Sequence, residues 1–549
     1  MSDFKIINMT LGQLLDKQAK EYPDTEAIVF ADRNFRLTYR QFKNEADKLA
    51  KGLIAVGVKK GNHVAVWAQN VPHWIIFMFA IAKIGAVMLT INTGYKSREL
   101  EYVLKQSDST VLALTDGLKQ NDFLEIVYGL VPELKSQPRG YLKSKNFPFL
   151  QKVVFIGQEK HRGMYNLNEI TALGESIVSD EEFEQRQKSL NPDDVVNMQY
   201  TSGTTGFPKG VMLTHINILN NGYWLGENMK YTHKDRLCLP VPLFHCFGCV
   251  LGVMAVTTHA STIIPLETFN PLMALATVQK ERCTAIYGVP TMFISELNLP
   301  MFDMFDLKSL RTGIMAGSVC PVSVMKDVIT KMNCSELTIV YGLTEASPGI
   351  TQSSVFDSAE IRASTVGKKL PGVEVKIINP ETLEELGDNQ EGELCCRGYN
   401  VMKGYYNKPE ETAKAFLKDG WLRTGDLAVR DSNGYFKITG RHKDIIIRGG
   451  ENISPKEIED LIYKMDGVKD VQVVAAPSKK YGEEVAAFII KKENADITES
   501  DVKDYCKDKI SRFKVPHYIA FIEAFPQTAS GKIQKYKLRE MCSQLFQVK

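Results

Sequence analysis

The chain predicts an α/β protein: a large amino-terminal domain of helix-covered, largely parallel sheets, followed by a small α+β domain at the carboxyl end. Three observations carry this expectation. Capping boxes that start helices alternate with short β-branched runs, the pattern of βαβ units. A chain of 549 residues exceeds one compact core and suggests about three to four domain-sized units. Near residue 440 the texture changes: the polar cluster Gly440-Arg441-His442-Lys443-Asp444 separates two apolar runs, and mixed helix and strand signals follow. The domain boundary is therefore expected at Lys443, dividing the chain into residues 1–442 and 443–549.

The elements follow in order. Thr10 with Gln13 and Thr38 with Gln41 each place a hydroxyl three residues before a glutamine, so a helix is expected after each threonine. Runs at 63–67, 110–114 and 152–156 read as strands. Residues 74–91 are nearly all apolar and long enough to suggest a membrane span. Lys83 and Gly85 interrupt that run and Pro72 stands where a helix would start, so a buried helix leading into a buried strand is expected instead. Residues 117–151 show few periodic signals and many lysines, and read as a surface excursion. Further strands are expected at 195–200, 284–287, 311–315, 337–341 and 435–438, and residues 211–213 form an apolar stretch. Beyond 443, boxes at Ser454/Glu457 and Thr498/Asp501 start helices, the second near 498–510, and strands are expected near 471–475 and 484–490.

With 67 basic and 65 acidic residues the net charge is +2, which argues neither for nucleic acid nor for an anionic membrane as partner. The opening Met-Ser-Asp-Phe-Lys lacks the pattern of a secretory or organelle signal, so a cytoplasmic enzyme is expected. Neither Cys246/Cys249 nor Cys395/Cys396 has a second pair at zinc-site spacing. The ten cysteines read as reduced, mostly buried thiols.

The most informative segment is Tyr200-Thr201-Ser202-Gly203-Thr204-Thr205-Gly206-Phe207-Pro208-Lys209-Gly210. Its glycines allow several backbone N–H groups to face one concavity, its hydroxyls suit phosphate oxygens or a metal, and Lys209 adds a point charge. Such a loop suits a nucleotide triphosphate; the alternative is a surface turn. A Walker loop needs glycine before the lysine and Ser or Thr after it, whereas Pro208 and Gly210 flank Lys209, which weakens a kinase or GTPase reading. Tyr341-Gly342-Leu343-Thr344-Glu345 follows a strand, where ligands bind in open α/β sheets. Tyr341 offers a stacking face, Thr344 a hydroxyl and Glu345 a hard oxygen for Mg²⁺, against a strand-to-turn junction with a solvated glutamate. Asp426 of Thr424-Gly425-Asp426 suits ribose hydroxyls or is merely a turn residue. Gly449-Gly450 allows close backbone approach or makes a bend, and Lys532 after Ser530-Gly531 reads by itself as a solvated lysine.

Taken together, Thr201 to Gly210, Tyr341 to Glu345, Thr424 to Asp426, Gly440 to Asp444 and Ser530 to Lys532 resemble the motifs of the adenylate-forming superfamily, which unites acyl-CoA synthetases, adenylation domains of peptide synthetases and firefly luciferases. The resemblance covers essentially the whole chain. It implies a small β subdomain within the large domain, and a mobile carboxyl-terminal domain. It implies a two-step reaction on ATP, Mg²⁺ and CoA, in which a carboxylic acid attacks the α-phosphorus and CoA then displaces AMP. Residues 201–210 would hold the β and γ phosphates. Thr344 and Glu345 would hold the α-phosphate and magnesium, the latter together with Thr204. Gly317 and Ser318 with Tyr341 would frame the adenine, Gly342 would also belong to the ATP site, and Asp426 and Arg441 would bind the ribose. Lys532 would reach the α-phosphate and the substrate carboxylate during adenylation. Lys443 would be the hinge about which Lys532 leaves and Gly449 and Gly450 enter to line the CoA tunnel.

His245, in Pro242-Leu243-Phe244-His245-Cys246-Phe247-Gly248, would orient the carboxylate or gate its access, with a packed core histidine as the plain alternative. The acyl pocket would be lined by Trp224, His245, Cys246, Tyr287, Gly288, Thr291, Met292 and Gly317, mostly apolar or small, which favours a hydrophobic chain. Residues 282–294 and 511–516 look most like medium-chain fatty acyl-CoA synthetases. Aryl and other acids stay open as substrates. Amino-acid-activating relatives carry an aspartate where this chain has Cys246. A luciferase-like oxygenase and a nucleotide-sensing protein without turnover are further rivals. No integral membrane segment is expected, and the oligomeric state is left open.

Overall fold

The computed structural model describes residues 4–546 apart from 119–120, 202–207, 318–319, 442–443, 449–450, 479–480, 508 and 529–530, with all side chains but that of Asn452. The chain forms two compact units, Met1–Val375 with Cys396–Leu422, and Lys376–Cys395 with Arg423–Lys549. The expected boundary residue, Lys443, lies outside the described residues.

Among the described residues the first unit holds two large sheets. One runs, in spatial order, Lys368–Lys369, Gly349–Gln352, Glu336–Gly342, Thr312–Ala316, Ala285–Gly288, Arg236–Leu239, Thr262–Pro265, Glu26–Phe30 and Phe35–Thr38. Its central strands pair in parallel, while antiparallel strands close both edges. The other runs Gly404–Tyr405, Lys209–Thr214, Val195–Thr201, Val87–Thr90, His63–Trp67, Val111–Leu114, Lys152–Phe155 and Tyr165–Asn166. It is parallel from Val195–Thr201 onward. The α/β expectation is borne out.

The apolar run at 74–91 is a helix, Pro72–Lys83, with proline at its first turn, followed by the strand Val87–Thr90. Helix and strand are buried almost throughout because neighbouring elements cover every side. No helix among the described residues is long and apolar enough to cross a membrane. Lys83 closes the helix with its side chain wholly buried, paired with Asp16 and Asp47 of the helices Leu11–Glu21 and Tyr39–Ala55.

Residues 117–151 depart from the expected surface excursion. Asp122 caps a helix, Phe123–Leu130, by accepting the Glu125 N–H at 2.9 Å. Phe123 and Val127, one turn apart, are buried, and Phe123 stacks on Trp67 with ring centroids 3.7 Å apart. Val131, Leu134, Phe147 and Leu150 join the same core, leaving Tyr141 and Phe149 exposed. Two turns of helix are too short for periodicity to stand out among lysines.

The second unit is built on the antiparallel strands Val468–Ser478 and Gly482–Lys491, extended by Ile446–Arg448, Glu451–Ile453 and Tyr518–Phe521. Alternate residues serve two cores: Val471, Val473 and Ala475 face the helices Pro455–Ile462 and Glu499–Lys507, whereas Val474 and Ala476 meet Leu538 and Cys542 of the helix Lys535–Leu545. Thr498 and Asp501 exchange the expected capping bonds. Ser454 does not cap its own helix; its hydroxyl donates instead to the Thr439 carbonyl at 2.9 Å. A further sheet orders Val373–Ile378, Glu391–Gly398, Leu422–Arg430 and Phe436–Arg441. All ten cysteines are buried and unbridged, as expected.

Candidate active site

The glycine and hydroxyl segment joins two antiparallel strands, with Thr201 opposite Lys209 and Tyr200 opposite Gly210. Ser202, Gly203, Thr204, Thr205, Gly206 and Phe207 lie outside the described residues, but both ends of the segment are firmly tied. Pro208 accepts the Tyr102 hydroxyl at 3.0 Å and Gly210 accepts the Tyr406 N–H at 2.8 Å. Gln106 donates to the Tyr406 carbonyl at 2.8 Å and also receives the Tyr200 hydroxyl. These bonds fix the strand ends on either side of the segment.

The parallel strands Ala285–Gly288, Thr312–Ala316 and Glu336–Gly342 end side by side, which brings Gly288, Gly317, Tyr341 and Gly342 to one edge of the nine-stranded sheet. Gly317 has φ +92°, a conformation that favours glycine. Gly342 is required for another reason: a Cβ there would stand 1.7 Å from the Pro348 carbonyl oxygen. Ser318 lies outside the described residues.

Directly after this edge, Thr344 is buried and Glu345 half-buried. The Tyr405 hydroxyl donates to Glu345 Oε1 at 2.8 Å, and the Met402 N–H donates to the Glu345 carbonyl at 2.9 Å. Lys209 Nζ rests over the Tyr405 ring, 4.4 Å from its centroid. Burial, reinforced by the Glu345 carboxylate, pushes the Tyr405 phenol far above its ordinary pKa, so it stays a donor. Sequence reasoning passed over Tyr405. The signal present was two tyrosines after Gly404, but their partners stand far away along the chain.

Thr344 also reaches the His245 segment: Cys246 Sγ lies 3.6 Å from Thr344 Oγ1 and 3.7 Å from His245 Nδ1. That nitrogen accepts the Phe247 N–H at 3.1 Å, at the start of a π-helical stretch, Phe247–Met254. Phe247 stacks on Tyr287, which is wholly buried and bonded to the Tyr231 hydroxyl at 3.0 Å. Burial holds the Tyr287 phenol well above its usual range. Met292 is buried and Thr291 half-buried in the first turn of the helix Pro290–Leu297. Trp224, on the helix His215–Asn228, packs against Phe4 and Tyr223, and its indole N–H has no partner among the described residues.

In the second unit Asp426 and Arg441 stand opposite each other on neighbouring strands, with Arg441 Nε donating to Asp426 Oδ1 at 2.7 Å. Lys532 is exposed in a turn in which its carbonyl accepts the Thr528 N–H at 2.8 Å and its N–H donates to Thr528 Oγ1 at 3.1 Å. Gly449 and Gly450 lie outside the described residues.

A hydroxyl and a carboxylate set just beyond the carboxyl ends of parallel strands mark the ligand-binding edge of an open α/β sheet. The chain belongs to the AMP-binding enzyme family: the family's sequence model matches residues 15–406, and that of the AMP-binding enzyme C-terminal domain matches residues 457–532. It is 52% identical over 542 residues to YngI of Bacillus subtilis (strain 168), covering 99% of this chain and 98% of that protein. It is 40% identical over 548 residues to the mitochondrial medium-chain acyl-CoA ligase ACSF2 of Mus musculus, covering 99% and 89%. The ATP-bound crystal structure of MatB from Rhodopseudomonas palustris is 27% identical and superimposes with a TM-score of 0.84, covering 98% of this chain and 100% of that one. The adenylate-forming superfamily expected from the five motifs is the one found.

Proposed function

We propose that the chain is an ATP-dependent acyl-CoA synthetase that acts in the cytoplasm on medium-chain fatty acids. In the first step the substrate carboxylate attacks the α-phosphorus of ATP and diphosphate leaves, giving the acyl-adenylate. In the second the CoA thiol attacks the acyl carbonyl, loses its proton, and displaces AMP. Charge concentrates at phosphorus in the first step, so catalysis there rests on positioning and charge stabilisation.

The observation that carries this reading is one cluster: Lys209 and Glu345 share Tyr405, and Thr344, the next residue, touches Cys246 beside His245. Groups suited to a polyphosphate thus adjoin a segment with apolar neighbours. Residues 201–210 hold the β and γ phosphates, Thr344 the α-phosphate, and Asp426 with Arg441 the ribose. Lys532 neutralises charge at the α-phosphate and the attacking carboxylate. His245 orients that carboxylate. Residues 443–549 turn about Lys443 between the steps, replacing Lys532 by Gly449 and Gly450 for CoA.

Magnesium ordinarily takes one or two carboxylates, phosphate oxygens and waters rather than a full protein cage. Glu345 suits that donor set, and no cluster of three or more His, Cys, Asp or Glu among the described residues offers a cage. Held by Glu345 and Thr204, the ion would neutralise phosphate charge. For the acyl chain, Trp224, Cys246, Tyr287, Gly288, Thr291, Met292 and Gly317 supply apolar or small walls, and a relative that shares 40% of its residues is a medium-chain ligase.

Diphosphate release with ATP and CoA, measured for straight-chain acids from acetate to palmitate and for benzoate, tests the reading. Release is expected to need the acid and to peak at medium chains. Release without acid dependence would refute the activity, and a maximum at acetate, palmitate or benzoate would refute the substrate.

A further inference from the structure

Tyr405 touches two groups of opposite charge at once. Its hydroxyl donates to Glu345 Oε1 at 2.8 Å, and its ring face lies beneath Lys209 Nζ at 4.4 Å from the centroid. Among the described residues no ion pair joins Lys209 to Glu345, although the same ring serves both. The ring itself is held firmly: Tyr405 is buried on the short strand Gly404–Tyr405, which pairs with Val211 and Met212, and its N–H donates to Thr412 Oγ1 at 2.9 Å. Gly404 (φ +140°) permits the approach of Thr412, whose Cγ2 would stand 2.8 Å from a Cβ at that position.

We propose that Tyr405 is a positioning residue that keeps Glu345 and Lys209 from pairing with each other and presets both for the nucleotide. The inference rests on the functional reading above, in which Lys209 meets phosphate and Glu345 meets magnesium. A bare lysine and a bare glutamate this close would attract, and a direct pair would have to be broken before either met its ligand. Tyrosine prevents this with two different handles. The hydroxyl's proton can go only to the carboxylate, since lysine has no acceptor, and the electron-rich ring face attracts only the cation. The two handles are therefore separable by substitution: Tyr405→Phe removes the bond to Glu345 and keeps the ring beneath Lys209, whereas Tyr405→Leu removes both.

Calorimetric titration of the whole enzyme with ATP, without acid or CoA, tests this with and without magnesium. Losing a hydrogen bond to a charged group should weaken binding of magnesium-ATP to Tyr405→Phe by about tenfold. Magnesium-free ATP should bind Tyr405→Phe as it binds the wild type, because the ring beneath Lys209 remains. Tyr405→Leu should lose affinity in both titrations, with about threefold or more from the lysine contact alone. Thermal unfolding checks that each variant is folded; if Tyr405→Leu is not, the two titrations of Tyr405→Phe decide. Equal losses with and without magnesium for Tyr405→Phe, or no loss in either, would overturn the inference. A wild type that binds no ATP would overturn the functional reading itself, which the Tyr405→Phe pattern alone cannot do.

Discussion

Glu296 shows how far burial alone can shift a single group. It lies 1% exposed on the helix Pro290–Leu297 with neither carboxyl oxygen hydrogen-bonded among the described residues. Burial pushes its pKa up to about 8. Between the ordinary carboxylate value and about 8 the folded chain keeps a proton that the unfolded chain has lost. The native state therefore binds more protons there, and stability falls as pH rises through that window, then levels off above it. The full loss is at most about 5 kcal/mol at roughly 1.4 kcal/mol per pKa unit. Glu296→Gln should abolish the slope, so the wild type should lose more thermal stability than Glu296→Gln between pH 5.5 and 8.5. Parallel melting profiles for the two proteins would refute this account. At the candidate site, Glu345→Gln keeps an acceptor for Tyr405 but removes the charge. Acid-dependent diphosphate release should then fall by about a hundredfold, with little change in melting temperature; an unchanged rate would remove Glu345 from the reaction.

At the scale of elements, the helix Pro72–Lys83 is buried at every residue but His73 and ends on a buried ion pair. Lys83 is 0% exposed at its side chain, whereas its partners Asp16 and Asp47 keep 37% and 19%. Each carboxylate belongs to a different helix, so one ammonium ties three helices together. Removing one partner of a buried pair costs about 3–5 kcal/mol; here the carboxylates reach water and Lys43 still pairs with Asp47, which lowers the cost to about 2 kcal/mol. Lys83→Met should lower the unfolding temperature, and adding Asp47→Asn should restore part of the loss; a Lys83→Met protein as stable as the wild type would refute the tie. The sequence marked Lys83 only as an interruption, since a lysine in an apolar run looks the same whether it faces water or two carboxylates. Contacts within a few residues were legible: Thr10 with Gln13 and Thr38 with Gln41 form the boxes their spacing predicts. Ser454 has the same local pattern, yet its hydroxyl goes to Thr439 on another strand, and no spacing rule reports such a competitor. The helix Phe123–Leu130 was missed because its stability comes from stacking on Trp67. In the first unit, Glu345 and Lys209 stand out from their motifs, whereas Tyr405 acquires its proposed role only when the fold brings Lys209 and Glu345 to one ring.

For the whole molecule, the question is why one chain carries two units when ATP and the acid could meet on one. A lysine that neutralises the α-phosphate during adenylation occupies the face from which a thiol must later approach, so one fixed arrangement cannot serve both steps. Placing that lysine on a separate unit resolves the conflict. On the proposed reading Lys532 is that lysine, exposed in a turn closed by Thr528 and by the bridge between Gln527 and Ile533. Lys532→Ala should therefore melt like the wild type. Diphosphate release from acid and ATP should fall by about a hundredfold or more, as expected for the loss of a charge directed at the transition state. Thioester formation from supplied acyl-adenylate and CoA should persist near the wild-type rate, because thiol attack at the acyl carbonyl does not need a cation on the α-phosphate. Rapid-quench measurement of both half-reactions separates the cases. If the two fall together, Lys532 is a general support of the site, and the division of labour between the units is wrong.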